Sequence, residues 1–222
     1  MRVNPLTTNL RARLLNYKNC VELDLQPNEL KDVVVIGNGT PDDVAIAALC
    51  KSLNGKRTIA MIKSKGHTGL GAIESVINLI YGRAKIERCI MIIDQDNNEL
   101  DDMKVGLEKK FSEFGVSFDK ENESRRTLIY ECKKGQKTAK FCLCINGLDG
   151  EFNTHAIEDH LLKLAEQIGV NIININNNPK ETWNGLTKEN RERVLRQIWR
   201  LDDVIAIDVF PQHVEAFGIC NT

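Results

Sequence analysis

The run Ile90-Met91-Ile92-Ile93 ends abruptly on Asp94-Gln95-Asp96-Asn97-Asn98. An uncharged apolar segment that delivers two carboxylates one residue apart, and then turns, has the pattern of a buried strand reaching the rim of a parallel sheet. Side chains alternate with period two along an extended chain, which puts Asp94 and Asp96 on one side. Two hard oxygen ligands so placed suit Mg²⁺, whose shell is completed by waters and substrate phosphates. A local explanation competes: Asp96-Asn97-Asn98 would end the strand and cap a helix opening at Glu99.

Other elements must bring partners to those acids. Residues 33–37 form a β-branched run between Lys31-Asp32 and Asn38-Gly39-Thr40-Pro41 and read as a buried strand. Pro41-Asp42-Asp43 then opens a helix to about residue 53, with Thr40 as cap, acids at its positive end and Asn54-Gly55 as its stop. A second strand over 58–63 leads through the loop Lys65-Gly66-His67-Thr68-Gly69 into a helix over 70–81, striped by Ile73, Val76, Ile77 and Ile80. The third strand covers 88–94. The third helix covers 100–114, with Met103, Leu107, the stem of Lys110 and Phe114 along one side. This alternation predicts an α/β fold, a doubly wound and mainly parallel sheet with right-handed crossovers. Such sheets bind ligands outside the carboxyl ends of their strands, so the junctions after Gly37, Lys63 and Ile93 should converge.

The second half is less regular. Residues 119–126 read as a charged excursion. Residues 127–132 and 140–145 read as an antiparallel pair around Lys133-Lys134-Gly135-Gln136. A helix over 154–167 carries the stripe Ile157, Leu161, Leu164, Ile168; it is followed by a short strand over 170–175, a charged helix over 186–201 and a last strand over 204–209. Residues 1–30 read as an N-terminal extension adding an edge hairpin, 31–170 as the main domain, and 171–222 as added elements packing on it.

Composition narrows the function classes. The chain has 222 residues, 42% hydrophobic and 27% charged, with a formal net charge of −1. That matches an ordinary folded domain and leaves no global basic field, so any nucleic-acid contact must come from a local patch. No uncharged apolar stretch is long enough to span a bilayer, and residues 1–10 lack the apolar core of a signal peptide; the expected setting is the cytoplasm, without membrane contact. Seven cysteines contain no Cys-x-x-Cys pair and fall in strand and helix runs such as Phe141-Cys142-Leu143-Cys144, so they read as reduced core residues.

The order strand, Gly-x-x-Asp, helix, strand, helix, strand ending in Asp-x-Asp, followed by Ile157-Glu158-Asp159-x-Leu161-Leu162, resembles Toprim domains. Within that superfamily it looks most like the small stand-alone, OLD-nuclease-like branch of archaea and bacteria. The resemblance covers about residues 32–168. It implies a Toprim-like fold and Mg²⁺- or Mn²⁺-dependent phosphoryl transfer on DNA or RNA. Asp94 and Asp96 match the Asp-x-Asp motif, and Glu158 with Asp159 matches the further acid. Ser64-Lys65-Gly66-His67 is similar to a loop that lies close to nucleic-acid phosphates in type IA topoisomerases.

One motif departs. Toprim enzymes carry a Glu directly after the first strand, and here Asn38 or Gly39 holds that position, next to Asp42 and Asp43. Asparagine carries neither a proton nor a charge at neutral pH, so Asp42 or Asp43 would have to serve as acid or base. An active enzyme would then use Asp94, Asp96, Asn38 and Asp43 in its catalytic site, hold metal on Asp94, Asp96 and Glu158, and contact phosphate through Lys63, Lys65 and His67. The alternatives are a catalytically silent Toprim-like module that binds nucleic acid, nucleotide or protein, and a phosphohydrolase of small nucleotides. His155 and His160 read as structural, and Phe210-Pro211 marks an edge that admits a homodimer.

Overall fold

A computed structural model describes the chain except residues 38, 40, 54–56, 65–68, 84, 151, 174–175 and 222 and the side chain of residue 221. The element order is β1 (Arg2–Pro5), α1 (Thr8–Leu15), β2 (Asp32–Ile36), α2 (Asp42–Ser52), β3 (Thr58–Lys63), α3 (Ile73–Gly82), β4 (Arg88–Asp94) and α4 (Leu100–Glu113). Then follow β5 (Ser117–Glu123), β6 (Thr127–Lys134), β7 (Lys137–Asn146), α5 (Ile157–Gln167), α6 (Pro179–Gly185), α7 (Lys188–Gln197), α8 (Asp203–Val209) and α9 (Pro211–Gly218).

Among the described residues the strands form one seven-stranded sheet in the order β1-β3-β2-β4-β7-β6-β5. The pairings from β1 through β7 are parallel, and β7-β6 and β6-β5 are antiparallel. β2 reads Asp-Val-Val-Val-Ile and every residue of it is buried, as a central strand covered on both faces requires. Two apolar cores flank the sheet. One lies under α2, α5 and the C-terminal helices; the other lies under α3 and α4. The connection leaving β2 turns through α2 towards β3, while that leaving β4 turns through α4 towards the β5 edge. The strand order therefore reverses between β2 and β4. That is the crevice where ligands bind in sheets of this class.

Several expectations need correction. The N-terminal segment is no hairpin: β1 lies parallel to β3 and α1 follows it. Residues 117–123 are a true edge strand, whose charges (Lys120 with Glu108 and Glu123, Lys140 with Glu121) keep that edge polar. In α4 the buried stripe is Met103, Leu107 and Phe111, not Lys110; Phe111 packs edge-on to Tyr130 and Phe141. Residues 170–173 form no strand. Residues 203–209, a β-branched run, form helix α8, because Asp202 caps it through Ile205 N at 2.8 Å and only Ala206 and Val209 find a core to enter. All seven cysteines are buried thiols.

Candidate functional site

The C-terminal ends of β2 and β4 open into a cavity of about 240 Å³, lined by Gly37, Gly39, Asp42, Asp94, Asp96 and Lys180 among others. Strand β4 delivers Asp94 to its floor. The next residues do not stay extended. Asp96 adopts a left-handed backbone (φ 51°) and exchanges backbone hydrogen bonds with His155. Aspartate is among the few residues that tolerate this region. Strand alternation is therefore not what aligns the two acids. Asp96 does not cap α4 either: the residue before that helix is Glu99, which makes no side-chain cap bond.

What joins Asp94 and Asp96 is Lys180. Its ammonium lies 2.9 Å from Asp94 Oδ2 and 2.9 Å from Asp96 Oδ1. Lys180 sits in the first turn of α6, after the Asn178 cap and Pro179. A cation is disfavoured at a helix N-terminus, so the two carboxylates are what hold it there. Burial works against its charge, yet Asp94 and Asp96 outweigh that and raise its pKa. Local sequence offers only the Asn-Pro helix start; nothing in it points across 84 residues to Asp96.

Asp94 Oδ1 is held from the other side. It accepts from Asn146 Nδ2 at 2.9 Å and from the Ile157 backbone N–H, at the start of α5, at 3.2 Å. Asn146 ends β7 in register with Asp94. Its Oδ1 accepts from His213 Nε2 at 2.8 Å, a tautomer fixed because the Asn146 amide already donates to Asp94. Asn146 and His213 are both buried. Asn146→Ala should cost about 1–3 kcal/mol, since it leaves the His213 donor without a partner. Urea unfolding measures this, and an unchanged midpoint would contradict it.

The remaining acids enter from α2 and α5. Asp42, in the first turn of α2, is 6% exposed. Its pKa is raised to about 6, by burial first and by the negative charge of Asp94 second. Gly39 passes against the Asp42 carboxylate, where a Cβ would collide with it. Asp43 does not face this cavity. It is fully buried, 2.6 Å from Arg13 Nε and 3.1 Å from Lys63 Nζ, so its charge is already answered. Of the two acids opening α2, Asp42 is therefore the one that lines the cavity. Glu158 is 5% exposed, and burial, then Asp42, then Asp94 raise its pKa to about 8. Its Oε2 is buried without a hydrogen-bond partner. Asp159 turns away, accepting from Leu148 N at 3.0 Å and lying 2.8 Å from His155 Nδ1.

His160 is a core residue, bonded to Val209 O, Gly147 N and Gln212, and burial lowers its pKa to about 3. Lys63 Nζ also reaches Gly39 O at 3.0 Å, on the path between β2 and α2. Asn38, Lys65 and His67 lie outside the described residues.

Carboxylate oxygens are the donors that hard divalent cations take, and those of Asp42, Asp94 and Glu158 repel one another here, with Glu158 Oε2 lacking a hydrogen-bond partner. Among the described residues no three His, Cys, Asp or Glu side chains are gathered closely enough to hold a metal ion. The Lys180 ammonium holds the position between Asp94 and Asp96. No family model, curated protein or solved structure matches the chain. Among the described residues no helix is long and apolar enough to cross a membrane.

Proposed function

We propose that the rim site is a Toprim-like, divalent-cation-dependent phosphoryl-transfer centre that cleaves phosphodiesters of DNA or RNA. The observation that carries this reading is the meeting of Asp42, Asp94 and Asp96 around one cavity, with the buried Glu158 coupled to Asp42 and Asp94, where the strand order reverses. Asp94, Asp96 and Glu158, not gathered closely enough to hold an ion as they stand, would have to close on Mg²⁺ or Mn²⁺ as Lys180 leaves, and the ion would supply positive charge that acidifies an attacking water and offsets charge on the leaving oxygen.

The chain's own groups supply the rest. Asp42, titrating near 6, accepts or returns a proton close to neutral pH, in place of the Glu that Asn38 or Gly39 replaces. Asn146 and the Ile157 N–H fix the Asp94 carboxylate, so little reorganisation is needed there. Lys180, once drawn off Asp96, presents its ammonium to a phosphate oxygen. Lys63 acts through its fixed charge behind Asp42, and Lys65 and His67 are assigned phosphate contacts from the loop after β3.

The test is incubation with labelled single- and double-stranded DNA and RNA in Mg²⁺, Mn²⁺ or EDTA. Cleavage with metal and none in EDTA is the expected result. One observation favours a second reading: Lys180 already bridges Asp94 and Asp96, as in a site that works as a silent binding module. Salt-sensitive binding without cleavage under every metal would select it.

A further inference from the structure

A second feature lies at the far end of α2. Helix α2 starts at the rim with Asp42 and reaches Lys51 nine residues later, roughly 14 Å away at the rise of an α-helix. There α7 and the turn Ile198–Arg200 pack on it through Val194 and Ile198. The outward side of this unit borders a groove of about 990 Å³. Along it Arg193, Arg196 and Arg200 are exposed at i, i+3 and i+7, with Lys188 at the head of the helix.

The groove is electrostatically unbalanced. Here Arg196 has only a loose pairing with Glu192 at 3.9 Å. Among the described residues no carboxylate pairs with Lys51, Lys188, Arg193 or Arg200. Trp199 orders two of these cations: Lys51 Nζ lies 4.3 Å and the Arg200 guanidinium 5.0 Å from its ring centroid. With its ring engaged by the chain's own cations, Trp199 offers no free platform for a base. Glu189 and Glu192 also line the groove and Arg193 donates to Ile168 O at 2.9 Å, so the four cations Lys188, Arg193, Arg196 and Arg200 outnumber two carboxylates, and three of them are forked donors that match phosphate oxygens.

We infer that this groove docks the phosphate backbone of a nucleic acid, without reading its sequence. The inference rests on the proposed action on nucleic acid and adds an anchoring surface one helix length from the cleavage site. A repeating polyanion fits better than an acidic peptide. The charges are set in a line at helix spacing, and three of them are guanidiniums.

The test is fluorescence anisotropy in EDTA with a labelled 20-base-pair DNA and the matching RNA duplex, across a range of NaCl. Wild type should bind with steep salt dependence. Arg193→Ala/Arg196→Ala/Arg200→Ala should bind at least about tenfold more weakly, with the slope of log K against log salt reduced by about 2–3. Lys109→Ala, which removes an exposed cation on α4 across the sheet, should retain affinity and slope. The Arg→Lys triple variant should keep the slope, which separates lost charge from misfolding. Equal affinity and slope for the alanine variant would overturn the inference, as would tighter binding to poly-glutamate than to either duplex. Wild type that fails to bind in EDTA would overturn it as well, while metal-dependent cleavage would still stand or fall on its own assay.

Discussion

Asp94→Ala/Asp96→Ala should lose metal-dependent phosphodiester cleavage by about 10²–10⁴-fold, the size of effect expected when several kcal/mol of transition-state charge stabilisation disappears. On the proposed mechanism both carboxylates are needed. Asp94 is the one anchored by the Asn146 amide and the start of α5, and Asp96 is the exposed partner across the Lys180 ammonium. Their loss leaves Asp42 and Glu158 without an open-sided carboxylate at the end of β4. The variant should stay folded, because the repulsion removed from the buried Asp42 and Glu158 offsets the Asn146 amide and Ile157 N–H left without their acceptor. Far-UV circular dichroism checks that point. Cleavage at the wild-type rate by a folded double variant would place the chemistry elsewhere.

The second large effect is on stability. Glu158 titrates near 8 in the folded protein against an ordinary 4.5. Between those values the native state keeps a proton that the unfolded chain has released. Stability from this group is therefore full below about pH 4.5 and falls as pH rises through 8. The loss is at most about 4–5 kcal/mol in the absence of metal. Asp42, raised from 3.8 to about 6, adds a smaller decline at lower pH. The two acids repel each other, so their contributions do not simply add. Glu158→Gln should flatten the profile between about pH 4.5 and 8 and be the more stable protein at pH 9, as read by urea midpoints in EDTA. A variant with the wild-type slope would show that Glu158 is ionised without penalty.

Much of this site was legible because the signals are local. The apolar run into Asp94 and the β-branched run 33–36 mark two central strands, and their alternation with helices places Asp42 and Asp94 at one rim. What escaped depends on distant partners. Lys180 and His213 follow segments whose local patterns speak only of a helix start and a core helix, and their roles arise from contacts across 84 and 67 residues. The choice of Asp42 over Asp43 could not be read either, since adjacent helix-start acids look alike until Arg13 and Lys63 claim one of them. The strand expected over 204–209 failed because β-branching suits both conformations, and a capping aspartate with a one-sided core decides for helix.

The central claim is that carboxylates 94, 96 and 158 form a divalent-cation site for which the Lys180 ammonium competes. Titration of Mn²⁺, followed by electron paramagnetic resonance, on wild type, Lys180→Met and Asp94→Asn/Asp96→Asn tests it directly. Wild type should bind, Lys180→Met should bind about tenfold more tightly, equivalent to about 1.4 kcal/mol, and the double Asn variant should not bind at this site. Unchanged Mn²⁺ binding in the double Asn variant, or none in either wild type or Lys180→Met, would contradict the claim.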